Sequence, residues 1–180
     1  RILARFQKIW LLRLQKQQVP KEEDKVNDPD PLHKAESLYK LERYQDAEDE
    51  VIEYIKKDPK SLTAYQLLGE IYIASKNFVH AEATWEHIVQ LANRLKQTNA
   101  MHYIDLARSK IKVEKLEDAL QAAKKAVILE PLNPKILYFI VRTCIVAKQK
   151  DMAWKYYHKL KKVNPENEGL EDLLEELKRL

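Results

Sequence analysis

Apolar residues recur at three- and four-residue intervals along most of this chain, and short polar breaks separate the runs. The pattern predicts helices in pairs. Pair one covers Leu32–Leu41 and Tyr44–Lys57, and pair two Leu62–Ala74 and Phe78–Leu95. Pair three covers Ala100–Lys112 and Leu116–Leu129, and pair four Pro134–Ala147 and Asp151–Lys162. A final helix over Glu168–Arg179 sets Leu170, Leu173, Leu174 and Leu177 on one stripe. Its early acids and its late Lys178-Arg179 complement the helix dipole.

Upstream, residues 1–18 predict a separate amphipathic helix. Ile2, Leu3, Phe6, Ile9, Trp10 and Leu14 recur at helical spacing, while Arg1, Arg5, Lys8 and Lys16 crowd another sector. Residues 19–31 are polar and broken by Pro20, Pro29 and Pro31, which reads as an extended or flexible linker.

Two ladders run through the paired helices. Ala47, Ala81, Ala119 and Ala153 stand 34, 38 and 34 residues apart, and Pro59, Pro131 and Pro165 each follow one of these alanines by 12. A close helix crossing tolerates only a small side chain, and proline lacks the amide that would continue a helix. Further residues keep the same period: Tyr65, Leu68, Gly69, Tyr72 and Trp85 in repeat two, and Tyr103, Leu106, Ala107 and Ala126 in repeat three. Repeat one supplies Ala35, Leu38 and Tyr44, and repeat four Leu137, Ile140 and Tyr157. This set resembles the tetratricopeptide repeat family, which carries 34 residues per helical pair. The resemblance implies an all-α, right-handed helical-repeat solenoid of four pairs (residues 32–167), with residues 168–180 as a capping helix. It also implies a non-catalytic scaffold or adaptor.

Departures from the repeat carry expectations of their own. Pro31 stands where a large aromatic is expected, so an irregular first turn is predicted there. Repeat two lacks the terminal proline and is four residues longer, which predicts one extra turn on its second helix. Lys110 replaces an aromatic, and Val141 a small residue.

In the family, one face of each first helix lines a concave groove that holds peptides. That register implies a partner-binding set of Glu36, Tyr39, Gln66, Glu70, Ile73, Met101, Ile104, Arg108, Lys135, Tyr138 and Arg142. Glu36, Glu70, Arg108 and Arg142 share one repeat position, so the expected groove is acidic in its first half and basic in its second. Apolar pockets are expected under Ile73, Ile104 and Tyr138. The competing expectation is that Glu70 pairs with Arg108 and nothing binds. A family subgroup grips the acidic tail of chaperones with Lys, Asn and Arg. Glu36, Glu70, Met101 and Asp105 stand at matching positions here, so chaperone-tail binding is not expected.

Composition supports long helices, since 180 residues include only two glycines and one third are charged. The net charge of +4 belongs to the leader: residues 1–27 hold seven Lys or Arg against three acids, and the remainder is balanced. That weakens a nucleic-acid reading, although Arg108, Lys112, Lys135, Arg142 and Tyr138 would suit a stacking and phosphate-gripping surface. The opposite, convex face, with Lys124, Lys125, Lys155 and Lys159, reads as too charged for a large apolar interface.

The leader admits several readings. Arg5, Phe6, Lys8, Ile9, Trp10 and Arg13 suit contact with an anionic membrane surface. The leader also suits the cytoplasmic flank of an upstream transmembrane helix, then a helix packed on the repeats, and last a targeting presequence. No apolar stretch approaches the roughly 18 residues of a membrane span. No Gly-rich phosphate loop, HExxH, paired cysteines or nucleophile elbow occurs. His80 and His87 are two helical turns apart, about 10 Å along the axis, and make poor metal co-ligands. No enzyme activity, cofactor or metal is expected. Cys144 reads as a small buried hydrophobe.

Overall fold

The computed structural model describes residues 31–180. The leader, with its membrane-contact set Arg5, Phe6, Lys8, Ile9, Trp10 and Arg13, and the linker up to residue 30 lie outside the described residues. Nine helices and no strand are found among the described residues. They are α1 (Pro31–Lys40), α2 (Tyr44–Lys57), α3 (Leu62–Ala74), α4 (Phe78–Leu95) and α5 (Ala100–Lys112). The rest are α6 (Leu116–Leu129), α7 (Pro134–Val146), α8 (Lys150–Val163) and α9 (Leu170–Arg179). Among the described residues no helix is long and apolar enough to cross a membrane.

Contacts divide the chain into two compact units, one ending at Leu91 and the other running from Ala92 to Leu180. In the first unit, α2 packs on α1 and on α3. The small-residue positions Ala35, Ala47, Gly69 and Ala81 are all buried there. Gly69 is required by its neighbour: a Cβ at this position would stand 2.8 Å from Cε2 and Nε1 of Trp85. Tyr72, itself buried, donates its hydroxyl to Glu48 Oε1 at 2.8 Å and so ties α3 to α2. Lys34 and Glu50 pair α1 with α2.

In the second unit, α5 packs on α6, α6 on α7, and α7 on α8, while α9 lies against both α7 and α8. Its core includes Leu120, Leu137, Ile140, Leu160, Leu173 and Leu177. Each such side chain removed from water contributes about 1.5–3 kcal/mol. Val141 is fully buried although it breaks the small-residue ladder.

The turns inside each pair share one construction. At Glu42, Lys76, Glu114 and Lys148 the chain takes φ of 59°, 61°, 61° and 55°. In each, this residue's N–H bonds the carbonyl three back, and the next N–H bonds the carbonyl five back, as Lys76→Ile73 and Asn77→Tyr72 do. This is the Schellman closure of a helix, here built four times without glycine. A fifth copy at Lys96 (φ 56°) ends α4. Left-handed backbone costs an L-residue roughly 1–2 kcal/mol, so each turn carries strain that helix packing must offset.

The proline ladder has a definite job too. Ser61, Asn133 and Asn167 donate their N–H groups to the carbonyls of Asp58, Glu130 and Asn164, which closes three equivalent turns with Pro59, Pro131 and Pro165 second in each. Proline presets φ for that place. Ser61, Asn99 and Asn133 then cap α3, α5 and α7 through their side-chain oxygens.

Three expectations need correction. Helix α1 runs from Pro31 without an irregular first turn, because proline's fixed φ suits the opening of a helix. The last helix starts at Leu170 and not at residue 168, because the Asn164–Asn167 turn and the Leu170 N–H bond to Asn167 use the preceding residues. Helix α8 gains one residue at each end. The predicted extra turn is present, since α4 has 18 residues where α2, α6 and α8 have 14.

Candidate functional site

Each unit presents its own part of the sequence-predicted set. In the first unit, Glu36 and Tyr39 of α1 are half-buried, and Glu70 of α3 is exposed. Burial raises the Tyr39 hydroxyl above its ordinary pKa, and the Glu70 charge and then Tyr44 push the same way. Glu70 therefore stands close enough to Tyr39 for its charge to be felt. The Tyr39 and Tyr44 rings lie 6.1 Å apart, and Glu36 is 4.0 Å from His33 Nδ1. Gln66 and Ile73 are half-buried on α3.

In the second unit, Arg108 of α5 is exposed but held. Its Nη1 donates to Asp105 Oδ1 at 2.8 Å, and its guanidinium carbon sits 5.5 Å over the Phe139 ring. Burial pushes the Asp105 carboxyl up, and Arg108 pulls it back part of the way. One turn of α7 brings Lys135, exposed, and Tyr138, half-buried, to the same place. The Tyr138 ring rests on Gly169, where any Cβ would overlap it. Arg108, Lys135 and Tyr138 line an open depression of about 660 Å³ together with Asn164, Glu166, Asn167, Glu168 and Gly169.

Two expectations fail here. Ile104 is 2 % exposed and belongs to the core, so its side chain is not open to a ligand; Met101, three residues before it, is 45 % exposed. The basic half is also not open charge. Arg142 pairs with Glu176 of α9, and Arg108 with Asp105, so acids of the same unit hold both cations. The depression itself adds Glu166 and Glu168 beside Lys135. Charges of both signs thus meet within one wall.

Sequence reasoning missed Phe139, Gly169, Asn164, Asn167 and Glu176. Signals existed for two of them. Gly169 is one of only two glycines in the chain, and Glu176 stands 34 residues after Arg142, at the position that Glu36, Glu70 and Arg108 also occupy. Among the described residues no group of three or more His, Cys, Asp or Glu is placed to hold a metal ion. His80 bonds Asn77 at 2.7 Å, and His87 lies against the Tyr65 ring at 4.6 Å. Cys144 is fully buried, and burial pushes its thiol up to about 11.

No protein-family model and no curated relative matches the chain. Solved structures do. YrrB, a TPR protein with an unusual peptide-binding site, is 15% identical, with a TM-score of 0.64 and 82% of each chain covered. MamA from Desulfovibrio magneticus RS-1 (41-end) is 21% identical, with a TM-score of 0.67; 93% of this chain and 96% of that one are covered. A tetratricopeptide repeat protein from Parabacteroides merdae gives a TM-score of 0.73 at 17% identity, over 83% of this chain and 58% of its own.

Proposed function

Because the chain has the tetratricopeptide-repeat fold, we propose that it is a non-catalytic interaction scaffold that holds a segment of a partner protein on the faces of its first helices. The observation that carries this reading is the depression of about 660 Å³ in the second unit, where Arg108, Lys135 and Tyr138 meet the polar turn before α9. Tyr138, fixed by Gly169, offers an aromatic surface of low entropy cost. Lys135 offers a cation to a partner carboxylate, and Glu166 and Glu168 offer acids to a neighbouring partner cation. Asn164 and Asn167 suit a peptide backbone, since an amide both donates and accepts. The preferred ligand is therefore an extended, mixed-charge segment, in place of the long acidic stretch that unpaired Arg108 and Arg142 would have favoured. The peptide-binding site of YrrB supports a peptide as the ligand class. In the first unit, Glu36, Tyr39, Gln66, Glu70 and Ile73 form the second part of this proposal and select for basic residues.

The test is capture from a cell lysate on the full chain and on a Lys135→Glu, Tyr138→Ala variant, read by mass spectrometry. Proteins lost from the variant alone are the expected result. An unchanged set of captured proteins defeats the reading. The proposal keeps residues 1–18 as a membrane-facing segment on the cytoplasmic side, supported by their cationic, amphipathic sequence alone. Substituting Phe6→Glu and Trp10→Glu is expected to reduce sedimentation with anionic vesicles, and an unchanged bound fraction refutes it.

A further inference from the structure

Three equivalent turns close the second helix of a pair onto the first helix of the next, and they differ in one respect. In the turn that ends α2, the chain carries Lys56, Lys57 and Lys60. In the turn that ends α8, the same three places hold Lys162, Val163 and Glu166. In the turn that ends α6, they hold Ile128, Leu129 and Leu132, with 76%, 47% and 64% of their surface exposed. All three turns have the same hydrogen bonds. The fold thus accepts lysine at each of these places, and packing does not explain the apolar trio.

The surroundings are cationic. Lys124 and Lys125 stand one helical turn before Ile128 and Leu129, on the same face of α6. The chain reverses at α7, so α6 and α8 run parallel and end at the same edge of this unit. The end of α8 adds the exposed Lys161 and Lys162. The acids nearby are Glu130, which accepts from the Asn133 amide at 2.7 Å, and Glu166 and Glu168 of the segment before α9.

We infer that this edge of the second unit is a docking surface for anionic lipid, with Ile128, Leu129 and Leu132 entering the headgroup layer while the lysines meet phosphate. Two arguments favour lipid over a protein partner. Three side chains at the tip of a turn are far below the roughly 800 Å² per partner of a stable protein interface. A few apolar residues combined with lysines are enough for a surface that binds at a charged interface. The inference deepens the membrane-associated part of the proposed function but rests on residues other than the leader, and its test separates the two.

The experiment uses the full chain with Leu132→Cys carrying an environment-sensitive fluorophore. Cys144 is fully buried, with its thiol pushed up to about 11, and takes no label in the folded protein. Vesicles of phosphatidylserine and phosphatidylcholine are expected to shift the emission to the blue. Pure phosphatidylcholine is expected to leave it unchanged, as is the same dye on Lys60→Cys in mixed vesicles. A second variant, Ile128→Lys, Leu129→Lys, Leu132→Lys, copies the lysines of the α2 turn and so keeps the fold. It is expected to bind mixed vesicles at least about tenfold more weakly despite three added charges. A label that stays at its aqueous emission while the protein is bound overturns the inference and leaves the leader as the lipid contact. A shift that needs no vesicles and grows with protein concentration assigns the trio to a second copy of the chain and also overturns it.

Discussion

Replacing Gly69 with alanine tests the packing argument at its tightest point. The new methyl would stand 2.8 Å from two indole atoms of Trp85 and 3.2 Å from a third. Favourable carbon contacts begin near 3.5 Å, so the ring would have to retreat by about 0.7 Å. Trp85 is 3% exposed, which leaves it little room to do so. Overpacking of this kind costs about 1–3 kcal/mol, while alanine returns about 1 kcal/mol of helix propensity over glycine. The expected net loss is about 1 kcal/mol. Trp85→Phe works in the opposite sense. It opens a small cavity, but it also removes a buried indole N–H that has no hydrogen-bond partner, a group that costs about 1–3 kcal/mol when unsatisfied. In the double variant the methyl enters the space that the smaller ring vacates. The two changes should therefore couple favourably by about 1–2 kcal/mol. Urea denaturation of the four proteins, followed by circular dichroism at the helical band, measures that coupling. Additivity within about 0.3 kcal/mol would refute the claim that Gly69 exists to admit Trp85.

Two further predictions follow from the turns and caps. Lys76→Gly and Glu114→Gly relieve left-handed backbone and should each stabilise by about 1 kcal/mol, a rise of a few degrees in Tm; a fall at both sites would show that the side chains, not the backbone, hold these turns. His102 caps α5 reciprocally with Asn99: its Nδ1 accepts the Asn99 N–H at 3.4 Å, and its own N–H bonds Asn99 Oδ1 at 3.0 Å. Burial lowers the His102 pKa, so the folded state binds its proton more weakly than the unfolded state does. The contribution is complete above the unfolded value of about 6.5 and is lost as pH falls from there toward the folded pKa. Stability measured from pH 8 to 5 should decline in the native protein and decline less in His102→Gln, and identical profiles would contradict this assignment.

The helices were legible because the 3.6-residue period and the two small-residue and proline ladders agree on one frame. Five of the nine predicted spans coincide with the observed helices, and the other four shift by one or two residues at their ends. The misses at residues 31 and 168 arise where a proline or a turn decides the boundary locally. The candidate site was harder to read. The register named Lys135 and Tyr138, which line the open depression, but it treated Ile104 as accessible. Core and groove are adjacent stripes on one helix, and a displacement of one position around the axis carries a side chain from one to the other. Arg108 and Arg142 were placed correctly on the exposed face. Their partners were not foreseen: Glu176 stands one repeat after Arg142 at the same register position, but the register gives no distance between a long cation and an acid.

The sequence by itself determined which residues form helices, where the pairs divide, and which small residues let backbones meet. These are local or strictly periodic properties, and each repeat states them again. Only the tertiary structure decided which charges neutralise one another, as in Arg142 with Glu176, and that Gly169 lies under the Tyr138 ring. It also showed that Glu42, Lys76, Glu114 and Lys148 accept left-handed backbone that the sequence would have assigned to glycine. Those outcomes depend on distances between segments remote in the chain, where packing energy outweighs the local preference of a single residue.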